Sequence, residues 1–174
     1  DDPVFFDEKL RSDVARVRSE EAELRRALAE DQLDLAYQPI VSLDGGVFHG
    51  FEALLRWDHP TLGSIGPDHF LATAKRAGLM SQITTRVLDL ACARHAAWRA
   101  EGLDPGLMSI DVADAFLTQP DAVGQVLEIA GRHGVPRSSL ALEVSERVVA
   151  GADHAPISRQ IDAAHAAGLR IALD

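Results

Sequence analysis

Four carboxylates stand at the ends of four apolar runs. Glu52 lies within Val47-Phe48-His49-Gly50-Phe51-Glu52-Ala53-Leu54-Leu55, and Asp111 follows Leu107-Met108-Ser109-Ile110. Glu143 follows Leu140-Ala141-Leu142, and Asp174 follows Ile171-Ala172-Leu173. A charge at the end of a buried strand needs a partner, usually a cation or a metal. The four are separated by 59, 32 and 31 positions, which predicts a site built from the ends of successive strands. Converging carboxylates repel: two of them about 4 Å apart, at an effective dielectric near 20, cost roughly 4 kcal/mol. A hard divalent cation removes that cost. All-oxygen ligation suits Mg²⁺, Mn²⁺ or Ca²⁺ better than zinc. Strand alternation puts Glu52, Leu54 and Arg56 on one face. Two readings follow for that face: a Glu–Arg ion pair, or a metal ligand beside a guanidinium that grips phosphate bidentately. The second reading fits metal-assisted phosphodiester hydrolysis with one or two ions.

Composition narrows the partners. The 174 residues suffice for one domain or most of a larger one, and 47% hydrophobic content is ordinary for a globular protein. The net charge of −10 opposes binding to a nucleic-acid polymer, which needs basic side chains to displace counterions. It leaves room for a small anionic substrate if a metal supplies positive charge. The only lysines are Lys9 and Lys75, so proton transfer would fall to carboxylates, histidines or those two. The seven histidines show no metal-ligand spacing. Cys92 is the single cysteine, which fits a reducing compartment. With no apolar run long enough for a membrane span and no signal peptide in view, the expected location is cytoplasmic, without membrane contact from this segment.

The elements that must position these groups can be read in order. Residues 7–30 read as a helix with a stripe at Leu10, Val14, Val17, Glu21, Leu24 and Leu28. That stripe either packs on its own domain or belongs to a connecting, dimerising helix. Residues 33–41 and 47–57 read as strands around the turn Asp44-Gly45-Gly46, hence an antiparallel hairpin. Helices follow from Pro67 to Gly78, from a Ser81 cap to Gly102, from Pro120 to His133, and from Pro156 to Ala167. Strands fall between them near 107–112, 140–145 and 169–174. The alternation predicts parallel pairing with right-handed crossovers in an α/β barrel. Five strands are short of the eight or so that close such a barrel, and the sequence stops on an apolar strand, so more chain is expected after Asp174.

The motif residues resemble the EAL domain family, whose members hydrolyse cyclic di-GMP. The likeness rests on Phe51-Glu52-Ala53-Leu54-Leu55-Arg56-Trp57, on Tyr37-Gln38-Pro39-Ile40, and on Pro60, Gly63, Pro67, Phe70 and Gly78-Leu79. It continues in Leu142-Glu143-Val144-Ser145-Glu146 and Ile171-Ala172-Leu173-Asp174, covering roughly residues 20–174. The resemblance implies a TIM-type (β/α) barrel with one antiparallel strand, incomplete here, with an EAL domain at 31–174. It implies that Glu52, Glu143 and Asp174 are catalytic and ligate Mg²⁺ or Mn²⁺, with Asp111 beside them. Arg56 would hold a substrate phosphate, Gln38 and Leu54 would line the nucleotide site, and Glu146 would steady the loop after Asp174. The product would be the linear dinucleotide. Residues 1–30, through Phe6-Asp7-Glu8 and Glu21-Ala22-Glu23-Leu24-Arg25-Arg26-Ala27-Leu28, resemble the linker helix between a GGDEF domain and an EAL domain. That implies a covalently attached GGDEF or sensor domain upstream, and a homodimer is a further expectation.

Two positions depart from the family pattern. Asp111 stands where asparagine is usual, which adds a negative charge beside the substrate phosphate. Ala74-Lys75 replaces a common Ala-Glu pair. The family's second aspartate, its lysine and a later metal-binding glutamate would all lie after Asp174, and neither Lys9 nor Lys75 can stand in for that lysine. Three functions fit: a cyclic di-GMP phosphodiesterase, a receptor that binds the dinucleotide uncleaved, and a regulatory module acting through the N-terminal helix.

Overall fold

A computed structural model describes residues 8–146 and 155–173. The chain opens with helix α1 (Glu8–Ala29), followed by β1 (Leu33–Val41) and β2 (Phe48–His59). A short strand β3 (Gly63–Ile65) and a 3₁₀ turn (Pro67–His69) lead to α2 (Leu71–Arg76) and the long α3 (Met80–Ala100). Then come β4 (Leu107–Asp111), α4 (Asp114–Leu117), α5 (Ala122–Arg132), β5 (Leu140–Val144), α6 (Ala155–Ala167) and β6 (Arg170–Leu173).

The strands form one mixed sheet in the order β1-β2-β4-β5-β6, with β3 paired to the far end of β2. β1 runs antiparallel to β2, while β2, β4, β5 and β6 are mutually parallel. This is the α/β sheet with a reversed hairpin strand that the pattern predicts, and the short β3 is a second strand antiparallel to β2. The short Asp44-Gly45-Gly46 turn permits only antiparallel return, whereas each later helix is long enough for a parallel crossover. One face of the sheet carries the core. Met108, Ile110, Leu140 and Leu142 point to it and are fully buried, packed with Leu88, Ala91 and Cys92 of α3. The alternate residues (Ser109 and Asp111 on β4, Glu143 on β5) therefore point to the other face.

Two backbone contacts set how closely β2 and β4 approach. A side chain at Gly50 would place its Cβ 1.9 Å from the Leu107 carbonyl oxygen, and one at Gly106 would lie 2.4 Å from that of His49. Only glycine allows this approach.

Several boundaries differ from the periodic reading. The expected helix from Pro67 to Gly78 is broken at Phe70, whose φ of −132° is not helical. Phe70 is 2% exposed and packs edge-on against Trp57 at 5.6 Å, and burial of that ring takes the backbone off the helical path. Ser81 is not a cap: α3 already starts at Met80, and the Ser81 hydroxyl donates to the Ala115 carbonyl at 3.0 Å. The short α4 and β3 carry too few residues to show a period. α1 divides along its length: Leu24 and Ala27 are fully buried, whereas Val14 is 41% exposed. Among the described residues, no helix is long and apolar enough to cross a membrane.

Candidate active site

Register places the functional groups before any side chain is considered. Across the β1–β2 hairpin, Gln38 pairs with Glu52, Ala36 with Leu54, and Asp34 with Arg56. In an antiparallel pair, opposed residues share a face, so Gln38, Glu52, Leu54 and Arg56 line the same side of the sheet. On the parallel side, Glu52 aligns with Ser109, and Asp111 with Glu143. Glu143 aligns in turn with Ala172 of β6.

The outcome is a cluster. Glu52, Asp111 and Glu143 each offer a carboxylate oxygen, and these atoms all lie within 4.8 Å of one another. Glu52 and Glu143 are half-buried, and Asp111 is exposed. The donor set is three hard, anionic oxygens on adjacent parallel strands. Asp111 and Glu143 stand at the carboxyl ends of β4 and β5, where the ligand sites of such sheets lie, whereas Glu52, expected at a strand end, sits within β2, which runs on to His59. It fits a divalent cation of the Mg²⁺ or Mn²⁺ kind and lacks the nitrogen and sulfur donors that favour zinc. Glu143 also accepts a hydrogen bond from the Ser109 hydroxyl.

The cluster opens onto a cavity of about 700 Å³ between the strand ends and helices α2 and α3. Leu54, Pro67, Leu71 and Met80 give it apolar walls, while Lys75, Asp111, Asp114, Glu143 and Ser145 supply the polar groups. One guanidinium nitrogen of Arg56, Nη1, donates to the Leu55 carbonyl at 2.8 Å, which holds the half-buried side chain along its own strand. Glu146 is exposed just after β5. Asp174 lies outside the described residues.

Ser109, Asp114 and Ser145 were given no role from the sequence, and Lys75 entered only as one of two lysines and as a departure from the family pattern. Ser109 had a usable signal: it sits two residues before Asp111 on a strand, so alternation puts both on one face. Thiolate chemistry has no support here, because Cys92 is buried in the core and burial pushes its thiol up to about 12. The buried His95 serves the scaffold. It is hydrogen-bonded to the Gly106 carbonyl at 3.2 Å, just before β4.

Comparison with known proteins adds a second line of argument. The family model described as "EAL domain" matches residues 21–174. An uncharacterized protein of Mycobacterium tuberculosis (strain H37Rv) is 36% identical over 152 residues, covering 87% of this chain and 49% of that protein. Cyclic di-GMP phosphodiesterase NbdA of Pseudomonas aeruginosa is 35% identical over 142 residues, covering 82% of this chain and 18% of NbdA. The chain thus spans about half the length, or less, of these relatives. Among solved structures, the PaMucR phosphodiesterase in complex with c-di-GMP superposes with a TM-score of 0.82 at 35% identity, covering 90% of this chain and 63% of that one. The FimX EAL domain of Xanthomonas citri, in complex with c-diGMP, superposes with a TM-score of 0.83 at 22% identity, over 94% of this chain and 62% of that one, a likeness of fold.

Proposed function

The chain belongs to the EAL domain family, and from that premise we propose that it is part of a metal-dependent phosphodiesterase that opens cyclic di-GMP to the linear dinucleotide. The observation that carries this reading is the convergence of Glu52, Asp111 and Glu143 within 4.8 Å, with Asp111 and Glu143 lining the cavity. The 35% identity to NbdA and to the PaMucR phosphodiesterase supports it.

In this reading Glu52, Asp111 and Glu143, joined by Asp174, hold one or two Mg²⁺ or Mn²⁺ ions. When bound, such an ion supplies Lewis-acid charge at a phosphodiester oxygen. The protein's own groups do the rest. Arg56 turns its guanidinium to the phosphate, where its planar fork matches two oxygens at once. Gln38, opposite Glu52, offers an amide donor to the same space. Leu54 and the apolar cavity wall take the flat face of a base and exclude water from it. Water adds to phosphorus, one P–O bond breaks, and the departing oxygen takes a proton. Glu146 steadies the loop that follows Asp174. In the same reading residues 31–174 are the catalytic unit, and α1 joins it to an upstream GGDEF or sensor domain in the cytoplasm.

The test is hydrolysis of cyclic di-GMP by the full-length protein in Mn²⁺ or Mg²⁺, wild type beside Glu52→Ala. Divalent-dependent release of the linear product, lost at least a hundredfold in the variant, is expected. No turnover by folded wild type in either metal would overturn the reading. Asp111, which stands where the family usually has asparagine, motivates a second reading, binding without cleavage. Calorimetry that finds tight cyclic di-GMP binding but no turnover selects that alternative.

A further inference from the structure

We infer that Ser109 is a positioning residue for Glu143: its buried hydroxyl holds one carboxylate oxygen and leaves the other for the cation. The inference rests on the metal-dependent reading above. Ser109 is 2% exposed and occupies the middle of β4, aligned with Glu52 on one side and Ala141 on the other. Its chain neighbours Met108 and Ile110 are fully buried in the core on the opposite face. A serine on the inward face thus sits at the floor of the carboxylate cluster, one strand away from Glu143.

The hydroxyl donates its single proton to Oε1 of Glu143. A hydroxyl hydrogen bond to a carboxylate is charge-assisted and among the strongest a serine can make. It performs two tasks. It fixes a side chain with three rotatable bonds, so that Glu143 need not be ordered when a cation arrives. It also disperses part of the negative charge that Glu143 brings to within 4.8 Å of Glu52 and Asp111. Ala141, beside Ser109 on β5, has no polar side-chain atom with which to replace it. Ser109 touches neither cation nor substrate; it acts through Glu143.

The experiment is Mn²⁺ titration by calorimetry, without nucleotide, on full-length wild type, Ser109→Ala, Ser109→Cys and Ser109→Thr, each melted in the absence of metal. Ser109→Ala is expected to weaken Mn²⁺ binding about tenfold, equivalent to about 1.4 kcal/mol. Ser109→Cys, of similar shape but with a weak donor, is expected to show the same loss without emptying the space, which keeps the test valid if alanine disturbs the fold. Ser109→Thr, which keeps the hydroxyl, is expected within about threefold of wild type, on the same scale in which tenfold is the loss of the bond. Turnover by Ser109→Ala is expected to recover at saturating Mn²⁺. Mn²⁺ affinity unchanged or higher in folded Ser109→Ala and Ser109→Cys overturns the inference, and so does a lower melting temperature with unaltered affinity. Failure of wild type to bind Mn²⁺ at all refutes the metal reading itself, a different result from wild-type binding with unaffected variants.

Discussion

Replacing Asp111 with asparagine removes one charge from a group of three while keeping shape and one carbonyl oxygen. The size of the effect follows from the geometry. Each pair of carboxylates in the cluster is at most 4.8 Å apart at its ligand atoms. At that distance a pair costs about 0.9 kcal/mol in water and about 3.5 kcal/mol at an effective dielectric of 20. Asp111 is exposed, so the lower figure governs its two repulsions, with Glu52 and with Glu143. Their sum is roughly 2 kcal/mol at low ionic strength. Metal-free Asp111→Asn is therefore expected to melt about 4–8 °C higher than wild type, given 2–4 °C per kcal/mol for a domain of this size. The gain should shrink in 0.5 M salt, where exposed charges are screened. Mn²⁺ binding moves the opposite way, weakening about ten- to a hundredfold with the loss of one anionic ligand. Calorimetry and thermal melts at two salt concentrations read both effects. A variant with an unshifted melting temperature at low salt and undiminished Mn²⁺ affinity would show that Asp111 does not belong to the cluster.

Two further outcomes test the scaffold. Gly50→Ala puts a methyl carbon within 1.9 Å of the Leu107 carbonyl oxygen, so β2 and β4 must part, separating Glu52 from Asp111. The expected cost is at least about 3 kcal/mol in urea unfolding, the upper range for overpacking; a loss under 1 kcal/mol, with Mn²⁺ binding intact, would contradict the close approach. His95 is held below its ordinary value, first by burial and then by the Arg99 charge, against the opposing pull of the Gly106 carbonyl and Asp104. The unfolded chain therefore takes up this proton at a higher pH than the folded one, so the neutral, buried His95 contributes stability above about pH 6.5 that is lost as pH falls toward the lower folded value. His95→Gln, whose amide can still donate to Gly106, is expected to have a smaller drop in urea midpoint between pH 7 and pH 5 than wild type; an equal drop would assign the effect to other groups.

What could be read from sequence was what repeats. Glu52, Asp111 and Glu143 could be found because strand periodicity is two and each interrupts or ends an apolar run, and the hairpin was legible from the short Asp44-Gly45-Gly46 turn. The failures have a common cause. The break at Phe70 arises from a contact with Trp57, thirteen positions earlier, and no local propensity encodes it. Ser81 carries the signature of a cap yet bonds to Ala115, thirty-four positions later. The Ser109–Glu143 bond likewise spans thirty-four positions. β3 and α4, of three and four residues, are shorter than the window in which a period can be detected.

The reversed strand β1 has a consequence for leverage. Because β1 runs opposite to its neighbour, its first residue, Leu33, pairs with Trp57, near the end of β2 beyond Glu52. The helix that precedes it is thereby delivered to the rim that holds the carboxylates, not to the opposite end. There α1 is fastened to α2: Arg25 donates to the Ala77 carbonyl at 3.1 Å, Glu20 accepts from Thr73 at 3.2 Å, and Arg76 lies 3.9 Å from Glu20. α2 in turn supplies Leu71 and Lys75 to the cavity. α1 is also tied to the sheet, since Glu23 lies 3.6 Å from His59 of β2, so the helix couples a wall of the chamber to the strand that bears Glu52, as a hinge plate joins a door to its frame.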